Sequence, residues 1–387
     1  MTSRTKVGIV GAGPAGLVLA NLLLDAGVDC VVLERQSRRH CETRVRAGLL
    51  EHPSVAFLVE RGWGERLLAE GKAHEGTVLR FGGRSHRIPY AELAGGRPMH
   101  VYPQQELVSD LIGIFLDRGG ELHFDVPDVA LADLGGEPRI TSSVGEWGCD
   151  VVAGCDGFLG VSRASVPAGQ LQVFDRHHEF GWVAMLAAAP PSTEEIIYAL
   201  HAEGFAGHML RTPTISRYYL QCPPDDDIAN WPDERIWAGL QTRLGEQGWE
   251  LQEGPVLEKG VVEMRSYVVE PMRYGRLFLV GDAAHIVPPV GAKGMNLAIW
   301  DARHLAEAVL RWVGDGDEGG LDAYSETCLR RIWRVQEFSL WMAHLLHRLD
   351  GGDPFLERSQ LARLEYLCSS PAAATSFAEN YVGLEQV

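Results

Sequence analysis

Cysteine is sparse in this chain and follows no pattern. The seven residues Cys30, Cys41, Cys149, Cys155, Cys222, Cys328 and Cys368 are odd in number, and no two form a CxxC pair. That argues against both a disulfide framework and a zinc site, and no metal is expected. Long apolar runs are also missing. No stretch reaches the roughly 18 residues of a membrane-spanning helix. The apolar N-terminal segment is broken by glycines and does not read as a signal peptide. A reducing cytoplasmic setting is the expectation. Positive charge is in short supply: 35 Lys and Arg stand against 52 Asp and Glu, a net charge of −17. This weighs against nucleic acid or an anionic membrane as a partner, so an anionic ligand would have to be met by a local basic cluster. No internal repeat or low-complexity tract is present. What remains is a 387-residue chain, 46% hydrophobic and 22% charged, with material for a large core in two or three domains. A homodimer is the expected assembly on general grounds.

The first informative feature that is present lies at the N-terminus. Lys6 to Val10 is short, apolar and β-branched, as a buried parallel strand requires. Gly11, Gly13 and Gly16 follow at once. They suit a tight turn, a close backbone approach to a pyrophosphate, and packing of the next helix on the strand. Leu17 to Ala26 reads as that helix, whose N-terminal amides favour an anion. Asp29 to Leu33 reads as a second strand and ends in Glu34, placed to accept hydrogen bonds from a ribose. Strand, glycines, helix, strand and acid in register indicate a dinucleotide site. The plain alternative is a glycine-rich turn with Glu34 as a surface carboxylate.

The rest of the chain has a change of texture. Thr77 to Ile88 alternates around Gly82-Gly83 and predicts a hairpin, while Gln104 to Arg118 has helical spacing. Strand-like segments recur at 121–126, 140–143 and 151–154. From about 172 to 267, strands alternate with polar breaks (178–186, 196–201, 207–211, 216–222), interrupted by a helical patch at 233–244. Parallel-strand texture returns at 277–280. From Asn296 onward the chain is chiefly helical, with a long amphipathic segment over 321–349 and a stop at Gly351-Gly352-Asp353-Pro354. The expected fold class is α/β: a Rossmann-like dinucleotide-binding domain over 1–171 with a hairpin excursion near 75–97, an inserted, mostly antiparallel β-sheet substrate domain over 172–275, a return to the first domain over 276–320, and a helical C-terminal region over 321–387.

A second segment, Gly281-Asp282-Ala283-Ala284-His285, suits the ribityl chain and ring of a flavin, whose adenosine half the first segment would hold. Long motifs accompany it: Thr43-Arg44-Val45-Arg46-Ala47-Gly48, Val152-Ala153-Gly154-Cys155-Asp156-Gly157-Phe158, His285-Ile286-Val287-Pro288-Pro289, Gly291-Ala292-Lys293-Gly294 and Glu379-Asn380-Tyr381-Val382-Gly383. With these, the chain resembles the class A flavoprotein aromatic hydroxylases, and among them the para-hydroxybenzoate hydroxylase family, nearly end to end. The resemblance implies an FAD-dependent monooxygenase. It would use NADPH and O2 to hydroxylate a 4-hydroxybenzoate-type acid through a hydroperoxide carried by the flavin.

Residue roles follow from that resemblance. Asp282 would hold the ribityl chain, with Arg46 and Gln104 against the cofactor and Asn296 at the ring end. Asp156 and Gly157 would serve both FAD and the nicotinamide donor. Pro289 would turn its carbonyl to the phenol. Tyr198, Tyr381 and His74 would form a proton relay from substrate to solvent, with His74 titrating near neutrality. Arg211 would bind the substrate carboxylate with two parallel hydrogen bonds, Tyr219 would support it, and Arg217 would accompany flavin movement. Arg265 matches a residue of the nicotinamide site. The cluster Arg35, Arg38, Arg39, His40 and Arg44 would read a 2′-phosphate, giving NADPH in preference to NADH. Taken singly, each of these residues is more simply a packed tyrosine, a strand-face charge or a solvated loop; the joint register favours the functional reading.

Departures from the family pattern cluster around the substrate. Met209 stands for a serine and lacks a hydrogen-bond donor. Gly207 stands for a leucine, Leu49 for a valine and Val290 for a threonine; Leu159, away from the substrate, stands for a histidine that assists the nicotinamide donor. These changes suggest a reshaped pocket and a ring-substituted substrate such as 3-amino-4-hydroxybenzoate, beside the parent acid. Two other classes compete: a flavin-dependent dehydrogenase or oxidase on the same fold, and a non-catalytic dinucleotide-fold protein.

Overall fold

The computed structural model describes residues 2–46, 48–349 and 352–383; Ala47 and Gly351, which belong to two of the motifs above, lie outside the described residues. The first sheet is built from the parallel strands that the apolar runs predict. Its order is Arg273–Tyr274, Leu277–Leu279, Gly145–Gly154, Thr2–Val10, Cys30–Leu33, Glu121–His123. Every pairing in this row is parallel except the first, and an antiparallel extension of Arg139–Ser142 and Ala130–Ala132 hangs from Gly145–Gly154. Val7, Ile9, Val31, Val32, Val151, Val152 and Leu277 are completely buried, because helices cover the sheet. The helix Pro14–Asp25 buries nine of its twelve residues there, packing beside Gly294–Asp315.

The second sheet has the order His285–Ile286, Val256–Glu270, Gln172–Ala187, Ile215–Cys222, Gly204–Thr212, Ile196–His201, Thr77–Phe81, Arg84–Ile88. Every pairing is antiparallel except that of Ile196–His201 with Thr77–Phe81. The predicted hairpin at 77–88 therefore extends this sheet. It is not an excursion of the nucleotide domain, because its pairing partner, Ile196–His201, lies far along the chain. The strand Val256–Glu270 was not anticipated. Its glycine and charges break the alternation on which the reading of the other strands relied.

Helices close the molecule. Gly319–Leu346 runs along both sheets, and Pro354–Ser369 and Pro371–Val382 fold back over the second. Trp333, on the amphipathic segment, stays 39% exposed and donates its indole N–H to Glu270. One apolar cluster joins Leu49, Tyr90, Tyr198, Phe205, Tyr219, Val290, Phe338, Phe377 and Tyr381 from six separate stretches of chain. Burial of large aromatic side chains, about 1.5–3 kcal/mol each, is what holds these stretches together. No helix among the described residues is long and apolar enough to cross a membrane.

Candidate active site

Each motif of the nucleotide domain follows the carboxyl end of a parallel strand. Gly11 follows Val10, Cys155-Asp156-Gly157 follows Gly154, Gly281-Asp282 follows the strand Leu277–Leu279, and Glu34 follows Leu33. The four strands are neighbours in the sheet, so segments far apart in sequence stand in one row, where open α/β sheets bind ligands. Gly11 has φ +104°, and a Cβ there would strike the Cys155 carbonyl. At Gly13, by contrast, a Cβ would meet nothing within 4 Å. Gly13 is the N-cap of Pro14–Asp25, and no side chain caps that helix. Open space beside uncapped amides fits a pyrophosphate. Glu34 braces the turn: its carboxylate accepts from Ala12 N at 2.7 Å and Gln36 N at 2.8 Å.

The flavin end is built in the same manner. Asp156 accepts from Ser162 N at 2.8 Å, while its buried Oδ1 has no partner; burial raises its pKa. Asp282 presents open surface yet is densely surrounded by protein, as a residue on the floor of a cleft would be. Desolvation raises its pKa, with His285 opposing. Beneath it, the carboxylate of Asp301 accepts from Gly281 N at 3.0 Å and pairs with His285 Nε2 at 2.6 Å. Burial opposes charge on His285, but Asp301 outweighs it and the pKa is raised. Arg163 joins two of the motifs, donating to Ala283 O at 2.9 Å and Phe158 O at 2.5 Å. Arg265 is held by both carboxylate oxygens of Asp175 and stacks over Phe158 at 4.3 Å. Leu159, beside it, is 77% exposed. These uncovered polar atoms and the open glycine cradle fit FAD.

Asn296 is engaged within the protein. Its carbonyl accepts from Glu51 N at 2.9 Å, and its amide donates to Leu49 O and Ala292 O, both at 3.1 Å. It fixes the wall formed by Leu49 and Leu50 as well as any ring beside it. Next to it lies a buried ionic cluster that sequence reasoning missed. Lys293 Nζ reaches Glu51 at 2.6 Å and the carbonyls of Asn380 and Tyr381 at 2.8 Å, and Arg331 reaches Glu51 at 2.9 Å. Burial lowers the Lys293 pKa, opposed by Glu51. The signal was present in the Gly291–Gly294 motif; its partner Glu51 sits in no motif.

The register of the second sheet assembles the pocket. Tyr198 stands opposite Gly207, Gly207 opposite Tyr219, and Met209 opposite Arg217. Tyr198 and Tyr381 are fully buried with their hydroxyls 2.9 Å apart. Burial raises both pKa values. His74 is 2% exposed, and neither ring nitrogen has a partner. Burial, helped by Lys72, pushes it down to about 4, so it is a neutral imidazole and not the near-neutral titrating group expected. Pro289 accepts from Ala292 N at 3.0 Å across a turn in which Gly291 and Ala292 both have positive φ.

Gly207 leaves no open space where the larger side chain would be. A Cβ there would meet the rings of Phe205 at 3.1 Å and Tyr219 at 3.3 Å, which already occupy the space. Phe205 is locked by stacking on Trp182 at 5.1 Å and His347 at 4.5 Å. Met209 is half-buried against the same cluster, and Val290 is fully buried in it. Arg211 sits at a register shift between Leu210 and Thr212, a bulge that re-aims its side chain. Its Nη2 donates to Arg46 O at 2.7 Å and Gln105 Oε1 at 3.2 Å. The hydrogen-bonding glutamine is thus Gln105; Gln104, the first residue of Gln104–Asp117, is only half-buried. Burial and Arg217 bring the Arg211 pKa down to about 10, still charged at neutral pH. Arg217 has buried Nε and Nη1 atoms without partners and lies over Tyr219 at 5.6 Å. Arg211 also lines a cleft of about 790 Å³ with Arg66, Lys72 and Tyr102. Arg35, Arg38, Arg39, His40 and Arg44 are all exposed, and Arg38 pairs with Glu42 at 2.7 Å.

Glycine cradle, uncovered carboxylates and a buried phenol pair together define a flavin-dependent aromatic hydroxylase. Comparison with known proteins agrees. Residues 4–339 match the family described as FAD binding domain. The chain is 42% identical, over 99% of its length and 96% of the relative's, to p-hydroxybenzoate hydroxylase of Acinetobacter baylyi. It is 26% identical, over 94% of both chains, to 3-amino-4-hydroxybenzoate 2-monooxygenase PtmB3 of Streptomyces platensis. The fold superposes on crystalline p-nitrophenol 4-monooxygenase PnpA from Pseudomonas putida with a TM-score of 0.85 over 100% of each chain, at 21% identity. The chain belongs to the FAD-binding family and, within it, to the flavin-dependent aromatic hydroxylases of the p-hydroxybenzoate hydroxylase group.

Proposed function

We propose that the protein hydroxylates 4-hydroxybenzoate, taking electrons from NADPH in preference to NADH. The observation that carries this reading is the Tyr198–Tyr381 pair, two buried phenols in hydrogen-bond contact within the apolar cluster that also holds Tyr219, on the sheet whose strands carry Arg211 and Arg217. Bound FAD supplies the redox and oxygen-activating chemistry. Gly11, Gly13, Gly16 and Glu34 would hold its adenosine and pyrophosphate, and Asp156, Gly157 and Asp282 its ribityl side. Arg46, Gln104 and Asn296 would line the rest.

The protein's own residues do the remainder. Arg211 binds the carboxylate and, with Arg217, sets a positive field in an otherwise acidic molecule. That field favours the phenolate of a substrate whose free phenol has a pKa near 10. As the substrate O–H donates to Tyr198 Oη, Tyr198 passes its own proton to Tyr381 Oη, and Tyr381 releases one toward His74. Neither tyrosine ionises by itself, since burial holds both phenols protonated. Each accepts one proton as it gives up another, and a neutral His74 can do the same through its two nitrogens. Loss of the proton makes the ring carbon ortho to oxygen electron-rich, ready to take an oxygen atom. Pro289, Leu49 and Val290 keep water from the ring.

A second reading, a ring-substituted acid such as 3-amino-4-hydroxybenzoate, is favoured by Met209, whose thioether replaces a donor beside the carboxylate. Gly207 gives it no support, because Phe205 fills the space. Mass identification of the product from a panel of 4-hydroxybenzoates, with NADPH and O2 consumption measured together, tests both. Coupled conversion of the parent acid is expected. Coupled turnover confined to the amino compound would move the assignment to the second reading, and reduction without oxygen insertion would overturn both.

A further inference from the structure

Tyr90 plays no part in the chemistry so far described. It is completely buried, and its hydroxyl has no hydrogen-bond partner in the protein. Leaving a buried hydroxyl unpaired is costly, so such groups are rare and point to a ligand or an ordered water. Its position is specific. The ring lies 5.0 Å from that of Tyr381, inclined at 43°. The next residue, Ala91, donates its backbone N–H to Glu75 O at 2.9 Å, tying the short helix Tyr90–Leu93 to the residue that follows His74. His74 is the other buried group here with nothing bonded to it, on either nitrogen. Two orphaned groups thus lie on segments tied to each other, and one of them packs on Tyr381, where the Tyr198–Tyr381 chain ends.

We propose that Tyr90 is a third phenol of the proton path, whose hydroxyl joins Tyr381 to His74, directly or by holding the water between them. The idea rests on the Tyr198–Tyr381 relay and extends it. A proton arriving from Tyr381 is accepted at Tyr90 Oη or its water while another leaves toward His74. Beyond lies the Glu195–Arg87 pair, at 2.7 Å, with Arg87 half exposed to solvent. Tyr90 has Tyr381 facing it from Pro371–Val382, Tyr198 and Glu195 from the strand Ile196–His201 and the loop before it, and Glu75 and Arg87 from the hairpin region, with His74 beside Glu75 in the chain. Apart from burial, the neighbours that most affect its ionisation are Tyr198 and Glu195, which oppose it, and Arg87, which favours it. The path therefore runs from the interior pair to a surface carboxylate. Tyr90 is a positioning residue, since no substrate atom need touch it.

The test uses FAD-loaded enzyme mixed rapidly with 4-hydroxybenzoate. Phenolate formation is followed by absorbance and proton release by an indicator dye, across pH. In Tyr90→Phe, which removes only the hydroxyl, proton release is expected to slow roughly tenfold or more, with the affinity for 4-hydroxybenzoate within about twofold of wild type. Tyr90→Leu should behave like Tyr90→Phe. Tyr381→Phe provides the reference for the relay itself. If Tyr381→Phe slows proton release and Tyr90→Phe does not, the relay stands and the role of Tyr90 is overturned. If only Tyr90→Leu slows it, the ring acts by packing and the proposal is likewise overturned. If neither Tyr381→Phe nor Tyr90→Phe slows it, the underlying relay falls and the extension with it.

Discussion

The hydroxyls of Tyr198 and Tyr381 lie 2.9 Å apart with both side chains at 0% exposure, so a strand near the middle of the chain and its last described helix share one hydrogen bond. Either oxygen can be the donor, which is what a relay that reverses direction between binding and product release requires. Tyr198→Phe should slow product formation by roughly 10²-fold or more, the usual worth of a positioned proton-transfer group. FAD content should be unchanged, and NADPH should be oxidised without matching product. The ratio of product to NADPH consumed is the measurement that decides.

Arg211 is expected to set substrate affinity. A charge-assisted pair at a half-buried site contributes about 1.5–3 kcal/mol. Arg211→Gln should therefore raise the Kd for 4-hydroxybenzoate by roughly 10- to 100-fold, with a smaller effect on 4-hydroxybenzamide, which brings no charge. Titration of the flavin absorbance reads both constants. Equal losses for acid and amide would place Arg211 in packing against Arg46 and Gln105 and not in recognition.

Lys293 is expected to matter for stability before chemistry. Removing it leaves Glu51 buried beside Arg331 alone of the two cations and frees two carbonyls. Lys293→Met should destabilise the fold by about 3–5 kcal/mol, as breaking a buried pair from one side does. Urea unfolding of the apoprotein measures this. A change under about 1 kcal/mol would show that the cluster adapts to the loss.

Acid should weaken the fold through its buried histidines. Burial pushes His74, His178 and His208 down to about 4 and His347 to about 3. With unfolded values near 6.5, the unfolded chain binds more protons between these limits. The stability that these four contribute is complete above pH about 6.5 and is lost as pH falls toward 4. His285 runs the other way: its raised pKa stabilises below about 6.5 and is lost as pH climbs through the folded value. Four against one, the melting temperature should drop steadily between pH 6.5 and 4.5.

The exposed basic cluster should govern donor choice. Replacing Arg39 and Arg44 together by Ala should lower kcat/KM for NADPH about tenfold or more while leaving NADH within about threefold, since only the former carries a 2′-phosphate. Initial rates with the two donors are sufficient. Equal losses for both would assign the cluster to another task.

Much of this architecture was legible in the sequence because the parallel strands and the glycine turn obey short-range rules. Residues 196–201 and 233–244 form their elements at the bounds expected. What was not legible depends on long-range pairing. Nothing in Thr77–Ile88 says that its partner is Ile196–His201, or that His285–Ile286 will close the other edge of that sheet. Glu51, Asp301, Gln105 and Arg163 carry no motif, yet each positions one. Gly207 shows the hazard of reading a pocket from single positions: the missing side chain mattered less than Phe205, two residues earlier on the same strand face. The His74 ionisation was misjudged for a similar reason, since its degree of burial is a property of the assembled fold.

Tyr381 arrives on the last helix, Pro371–Val382, and Lys293 grips the carbonyls of Asn380 and Tyr381 from inside. The nucleotide cradle thus draws on residues 8–157 and 277–285, whereas the phenol chamber stays open until the helix Pro371–Val382 has docked. A molecule in which that helix came undocked would be able to hold cofactor yet leave the reaction chamber unsealed and wet.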